Sequence, residues 1–209
     1  MTDFILDGPA DAATTILLAH GAGAPMDSAA MNAAAKALAA EGLRVARFEF
    51  GYMAARRQGQ SRPPPKAETV MPEYVAAIEA LGASGRLIIG GKSMGGRVAS
   101  MIADEMHAAG RIAGLVCLGY PFHPMGKPEQ TRTRHLAGMT CPALIVQGTR
   151  DIMGSAEEVA GYALSPAIEL LWLPDGDHDL KPRKAISGFT AAGHLKTMAE
   201  RVKTWAAGL

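Results

Sequence analysis

Short, uninterrupted apolar runs recur along this chain, each flanked by Gly or Pro, with longer Ala-rich stretches between them. Four are clear: Thr15–Ala19 (TILLA), Leu87–Ile89 (LII), Leu115–Leu118 (LVCL) and Ala143–Val146 (ALIV). Leu43–Phe50 and Ile168–Leu173 are similar but carry more polar residues. Runs of Ile, Leu and Val that do not alternate with polar residues fit strands buried on both faces, as in a parallel sheet. Between them, Asp27–Ala40, Met71–Leu81, Met94–Ala109, Ala156–Leu164 and Phe189–Ala206 carry apolar residues at helical spacing. Strand and helix alternate about six times, which predicts an α/β fold. The expected form is a three-layer sandwich: a mostly parallel sheet of about six or seven strands with helices on both faces. The strands are too few for an eight-fold barrel.

With 209 residues, the chain is expected to form a single domain over residues 1–209. Such a domain buries about 70% of the surface that its unfolded form exposes, so it needs no metal or disulfide staple. Its 21 Lys+Arg against 20 Asp+Glu leave a formal charge of +1, without the basic excess that nucleic-acid binding requires. Cys117 and Cys141 sit in or beside apolar runs and read as small buried hydrophobes. Met1-Thr-Asp-Phe-Ile-Leu-Asp has no basic n-region ahead of a long apolar segment, and no apolar stretch is long enough to span a bilayer. A cytoplasmic protein with no membrane partner is expected. Gln58–Lys66 (QGQSRPPPK) is the one low-complexity patch; its three prolines favour an extended loop between a strand and the next helix.

The chemistry is concentrated in Gly91-Lys92-Ser93-Met94-Gly95, a G-x-S-x-G pattern at the end of a predicted strand and the start of a predicted helix. A strained strand–turn–helix elbow lifts a serine hydroxyl clear of the sheet and points the first helical N–H groups at any oxyanion formed there. The neighbouring "GKS" also suggests a phosphate loop, but the spacing misses by one residue whichever glycine is used. A serine nucleophile needs a base, and the base needs an orienting carboxylate. Asp151 follows the run Ala143–Val146 and His178 follows Ile168–Leu173, so the chain order is Ser, acid, His, as elbow hydrolases require. Five other histidines, His20, His107, His123, His135 and His194, read as surface or packing residues, with His123 and His135 in a loop that could border a pocket. Asp175, Asp177 and Asp179 alternate like a calcium loop but lack its Gly and Glu positions, and are expected to cap and solvate the His178 loop. The His20-Gly21-Ala22-Gly23 turn ends an early strand. It offers the N–H of Ala22, or of Gly23, as the oxyanion partner of the N–H of Met94.

Together these residues resemble the α/β-hydrolase superfamily over nearly the whole chain. Closer features resemble a small branch of it, typified by a testis-expressed protein and by the hydrolase-like third subunit of the nonspecific-lethal chromatin complex. The segments that carry the resemblance are His20-Gly-Ala-Gly, Phe48-Glu-Phe-Gly-Tyr-Met, Gly91-Lys-Ser-Met-Gly-Gly-Arg, Gly119-Tyr-Pro-Phe-His-Pro, Gln147-Gly-Thr-Arg-Asp and Gly176-Asp-His-Asp-Leu. The resemblance implies Ser93, Asp151 and His178 as a catalytic triad. Gly23, Tyr52, Tyr120 and His123, within these segments, are candidates for the substrate pocket. Gly51 stands where a proline before Tyr52-Met53 is expected, which should loosen a site-facing turn.

The expected function is a serine hydrolase acting on a small ester, thioester or related acyl substrate through an acyl-enzyme, with no metal or organic cofactor. About two dozen residues separate the strands at Leu115–Leu118 and Ala143–Val146, too few for a cap domain. Lys92, Arg56, Arg57, Arg62 and Lys66 could favour an anionic substrate, or could simply be solvated charges. The alternative is a catalytically silent interaction or scaffold protein of the same fold. Its contact surfaces would be the Pro-Arg loop and Tyr120-Pro-Phe-His-Pro.

Overall fold

The apolar runs pair with one another. The computed structural model describes residues 2–209. Its strands are β1 (Ile5–Asp7), β2 (Thr14–Ala19), β3 (Arg44–Phe48), β4 (Arg86–Lys92), β5 (Gly114–Leu118), β6 (Ala143–Gly148) and β7 (Ile168–Leu173). They form one seven-stranded sheet in the order β1-β3-β2-β4-β5-β6-β7. β1 runs antiparallel to β3, and every other pairing is parallel. Helices cover both faces of this mostly parallel sheet, the three-layer α/β sandwich expected from the sequence.

Successive strand residues bury on opposite faces, which explains why the runs carry no polar interruption. Ile16, Leu18, Val45, Ile88, Val116 and Val146 form one face, against Met31, Ala35 and Leu38 of α1 (Ala29–Ala40). Met198, Val202 and Trp205 of α7 (Ala191–Ala207) complete that layer. Leu17, Ala46, Phe48, Ile89, Leu115 and Ile145 form the other face. They pack on α2 (Gly51–Arg57), α3 (Met71–Leu81) and α4 (Met94–Ala108). Residues 119–142, between β5 and β6, hold no helix or strand.

The structure departs from the sequence expectations where local pattern is short. α5 covers only Ala156–Val159, closed by a Ser155/Glu158 capping box, rather than running on to Leu164. β3 ends at Phe48 instead of Phe50, because the chain leaves the sheet to begin α2, an element with no recognisable start signal. β1 and α6 (Lys184–Ser187) are too short to produce a period. β1 nonetheless has a role, since its Asp7 carboxylate meets the buried Arg47 guanidinium of β3 at 2.7 Å. Gly51, far from loosening its turn, opens α2 and donates its N–H to Glu73 Oε2 at 2.6 Å, a bond that proline could not make.

One side chain enters the sheet itself. The Tyr74 hydroxyl of α3 lies 2.8 Å from the Leu17 carbonyl and 2.6 Å from the Gly90 carbonyl, and accepts the Gly90 N–H at 2.9 Å. It therefore completes the β2–β4 ladder just before the serine turn. At Gly90, an added Cβ would lie 1.9 Å from the Val116 carbonyl oxygen. Tyr74→Phe, which orphans a buried N–H, should cost about 1–3 kcal/mol. Gly90→Ala should cost at least as much, through overpacking against backbone. Gly138→Ala, where an added Cβ meets nothing within 4 Å, should stay within about 0.5 kcal/mol of the native protein. Urea denaturation midpoints check all three.

Candidate active site

β4 ends at Lys92 and α4 begins at Met94, so Ser93 is the whole of the turn between them. Its backbone sits at φ 49 and ψ −115, a conformation that costs a non-glycine residue about 1–3 kcal/mol. Packing holds it there. The Ser93 N–H donates to the Leu118 carbonyl at 3.1 Å, and its own carbonyl accepts from the Arg97 N–H at 3.0 Å. A Cβ at either Gly91 or Gly95 would lie 2.4 Å from the Ala19 carbonyl oxygen, and one at Gly96 would lie 2.7 Å from the Gly91 carbonyl oxygen. The glycines of the motif thus let the turn lie flush against β2, and the Ser93 hydroxyl is lifted into a surface cleft.

Opposite Ser93, two loops from neighbouring strands converge. Asp151 follows β6 and is fully buried. Its Oδ1 accepts the Met153 N–H at 2.8 Å, and its Oδ2 accepts the Gln147 side-chain amide at 2.9 Å. His178 follows β7, with Nδ1 2.8 Å from Asp151 Oδ2 and Nε2 2.8 Å from Ser93 Oγ. Because a carboxylate can only accept, the Nδ1 atom carries the proton and Nε2 is free to accept from the serine hydroxyl. The structure therefore brings Ser93, His178 and Asp151 into one chain of hydrogen bonds. Hydroxyl-to-imidazole-to-carboxylate is the geometry in which an imidazole can take a proton from an attacking oxygen.

The acidic residues around His178 are occupied with building its loop. Asp175 pairs with Arg183, which holds its carboxyl far below the usual carboxylate range. Asp177 Oδ1 accepts the N–H groups of Asp179 and Lys181, each at 2.9 Å. His194 of α7 lies 2.9 Å from the Leu180 carbonyl. Gly119 has φ 64, and a Cβ there would lie 2.5 Å from the His178 carbonyl oxygen. Among the described residues no group of His, Cys, Asp and Glu side chains converges to hold a metal ion.

On the other side of Ser93, the Gly21-Ala22-Gly23 turn borders the cleft. Neither the Ala22 N–H nor the Met94 N–H is taken up by a hydrogen bond among the described residues. Tyr52 is buried, and its hydroxyl donates to the Ala22 carbonyl at 3.0 Å, so it shapes this turn rather than lining the cleft. Burial pushes its pKa up to about 12, keeping that donor protonated. His20 holds the turn from below: Nδ1 is 2.7 Å from the Gly21 carbonyl, and Nε2 accepts the Phe50 N–H at 3.2 Å. Of the other pocket candidates, Gly23 lies in the cleft wall. Tyr120 is wholly buried, edge-on to Phe122, with its hydroxyl on the Arg132 carbonyl. His123 is buried too, with Nδ1 2.8 Å from the Pro124 carbonyl.

Sequence reasoning missed Gln147, whose amide touches Asp151, the Tyr120 carbonyl and N–H, and the Gly154 carbonyl. Its signal was a polar residue ending an apolar strand. A second serine–histidine contact, Ser100 Oγ to His135 Nε2 at 2.8 Å, has different chemistry. The Ser100 hydroxyl donates to the Arg97 carbonyl at 2.7 Å, and no carboxylate hydrogen-bonds His135 among the described residues. That imidazole is left as donor, not base.

The cleft has two lobes that meet at Ser93, of about 520 and 560 Å³. Such volumes suit small-molecule sites. Among the cations flagged from sequence, Lys92 and Lys66 reach the lobes. Arg57 is instead bound between Glu49 and Asp27, and Arg56 lies over the Tyr52 ring. Lys92 sits 3.4 Å from Asp179, and burial lowers its pKa. No helix among the described residues is long and apolar enough to cross a membrane.

Comparison with known proteins is consistent with this architecture. The family model described as "Alpha/beta hydrolase domain" matches residues 12–207. A dienelactone hydrolase from Anabaena variabilis superposes with a TM-score of 0.72 at 20% identity, over 99% of this chain and 91% of that one. The esterase domain of a Rhodothermus marinus protein gives 0.66 at 17% identity, over 99% and 98% of the two chains. A serine hydrolase without lid from Xanthomonas campestris gives 0.62 at 21% identity, over 96% and 89%. Identities this low establish the shared fold alone.

The two histidines held neutral by burial make a pH signature. Burial lowers the pKa values of His20 and His135 below the ordinary 6.5, so in acid the unfolded chain binds protons that the folded one refuses. Stability is full above 6.5 and is lost as pH falls from 6.5 toward the lowered values. Urea midpoints measured from pH 7.5 to 5 should therefore fall, and His20→Gln should flatten the slope.

Proposed function

This chain belongs to the alpha/beta hydrolase domain family, and we propose that it is a serine hydrolase of small esters, thioesters or related acyl compounds. The supporting observation is the unbroken hydrogen-bond chain from Ser93 Oγ through His178 to the buried Asp151, at 2.8 Å for each link. We read residues 1–209 as one such domain. We place it in the small branch represented by the testis-expressed protein and the third subunit of the nonspecific-lethal complex, on the six segments quoted above. The free, buried thiols of Cys117 and Cys141 suit a reducing compartment such as the cytoplasm.

In this reading Ser93 attacks the acyl carbonyl while His178 Nε2 removes the hydroxyl proton. Asp151, fixed by Gln147 and the Met153 N–H, keeps the proton on Nδ1 and stabilises the imidazolium. The N–H groups of Ala22 and Met94 receive the tetrahedral oxyanion, with Met94 adding the positive end of the α4 dipole. His178 then protonates the leaving group and activates water to clear the acyl-enzyme. His20 and Tyr52 act through the turn that presents Ala22, as positioning residues. These groups supply nucleophile, base and oxyanion donors, so the chemistry needs no cofactor.

Intact-protein mass after exposure to a fluorophosphonate tests this. One adduct is expected on the native chain and none on Ser93→Ala. On an ester that the native protein turns over, Asp151→Asn should lower kcat by about 10⁴, through the wrong imidazole tautomer. Absence of an adduct on folded protein would favour the silent interaction module instead.

A further inference from the structure

The two lobes beside Ser93 differ in chemistry. One is walled mainly by the apolar side chains of Ala24, Ala29 and Met31, and it contains His178 and the paired charges of Lys92 and Asp179. The other is walled by prolines and carries Lys66, Arg97 and Arg132 against a single carboxylate, Glu68. Glu68 is already engaged by Arg97 at 2.7 Å. Arg132 makes no side-chain hydrogen bond or ion pair among the described residues, and the Arg97 Nε–H is buried without an acceptor. Burial, and then the charge on Arg97, lower the Arg132 pKa, so the lobe sets like charges near each other that an anion would relieve. Pro64, Pro65 and Pro124 in its wall have no N–H to offer, so donation falls to side chains, the two guanidinium groups with Lys66 and Gln130.

The position of His178 decides which part of a substrate enters which lobe. Its Nε2 must hand a proton to the departing oxygen, so the alcohol portion lies on the His178 side, in the apolar lobe. The acyl portion then extends into the lobe of Arg97 and Arg132.

We propose that the acyl portion of the substrate ends in a second carboxylate, held by Arg132 and Arg97, so that the preferred substrates are monoesters of short dicarboxylic acids. The inference rests on the hydrolase reading. Guanidinium forks match a carboxylate, and charge-assisted bonds of this type are roughly twice as strong as neutral ones. The bond changes are those of ester hydrolysis. Ser93 Oγ bonds to the acyl carbon and the alcohol leaves with the serine proton, delivered by His178. Water then supplies hydroxyl to the acyl carbon and returns a proton to Ser93 through His178, while the second carboxylate is unchanged.

The test compares monophenyl adipate with phenyl hexanoate, and runs a binding arm with their non-hydrolysable anilides. kcat/KM should favour the anionic ester by about tenfold or more, mainly through KM, and the preference should shrink with salt. Arg132→Gln should bring the ratio of the two esters close to one, and Arg132→Lys should restore part of it. Calorimetry on the native protein should show adipic monoanilide binding about tenfold more tightly than hexananilide, with the difference lost in Arg132→Gln. Turnover of both esters without preference, or a parallel loss on both in Arg132→Gln, overturns the proposal while leaving the hydrolase reading intact. Arg132-dependent binding of the anionic anilide without turnover or fluorophosphonate adduct has the opposite meaning: the anion site stands and the hydrolase reading fails. If neither anilide binds preferentially, the anion site is refuted whatever the activity.

Discussion

A serine held at φ 49 between a strand and a helix is the constraint on which the site depends. Left alone, such a residue would relax into ordinary backbone. It stays because the strand and the helix on either side are locked to β2 at backbone-to-backbone distance through glycines at 91 and 95, and to each other through Gly96. The sheet therefore does more than support the site. Its tight packing stores the local strain, and the hydroxyl, the helix N-terminus and the Met94 N–H take their positions from that one turn. Tyr74, reaching in from α3, adds its hydroxyl to the Gly90 N–H and carbonyl a few residues before the serine.

The same separation of labour runs through the loops opposite. Asp151 is buried and held by three donors. His178 is less enclosed but sits in a loop stiffened by Asp175, Asp177 and His194. Long-range pairs set these loops. A glutamine on β6, an arginine before Asp151 and a histidine on α7 each fix a piece of backbone that lies elsewhere in sequence. An imidazole suspended among such contacts has few rotamers open to it, which is the requirement for an acid–base group that works at one distance.

Much of this was legible in the residues. Unbroken apolar runs such as Leu115–Leu118 announce a strand covered on both faces, and the four clear runs lie wholly in the sheet, whereas the more polar Leu43–Phe50 run overshoots β3 at both ends. The order Ser93, Asp151, His178 was legible because each residue follows its own strand. What stayed hidden has a common cause. Gln147, Tyr52 and His20 act through backbone groups of distant segments, and a single sequence does not record which carbonyl a buried polar side chain will meet. Tyr120 and His123 sit beside the site in sequence but turn inward, one onto the Phe122 ring and the other onto the Pro124 carbonyl. The arginines differ in a way that spacing does not record. Arg57 has two acidic partners that lie eight and thirty residues away, whereas Arg132 has none among the described residues.

The proline-walled side of the cleft has a thermodynamic consequence. Chain that carries Pro64 and Pro65 has its φ angles fixed by covalent rings before folding begins. A ligand settling there freezes little that was not already frozen, so the ordering cost that flexible loops impose on binding is largely absent. Encounter on that side amounts to docking with a rigid edge. Shape therefore selects there alongside charge, because the two prolines narrow how far that wall can adjust to a molecule.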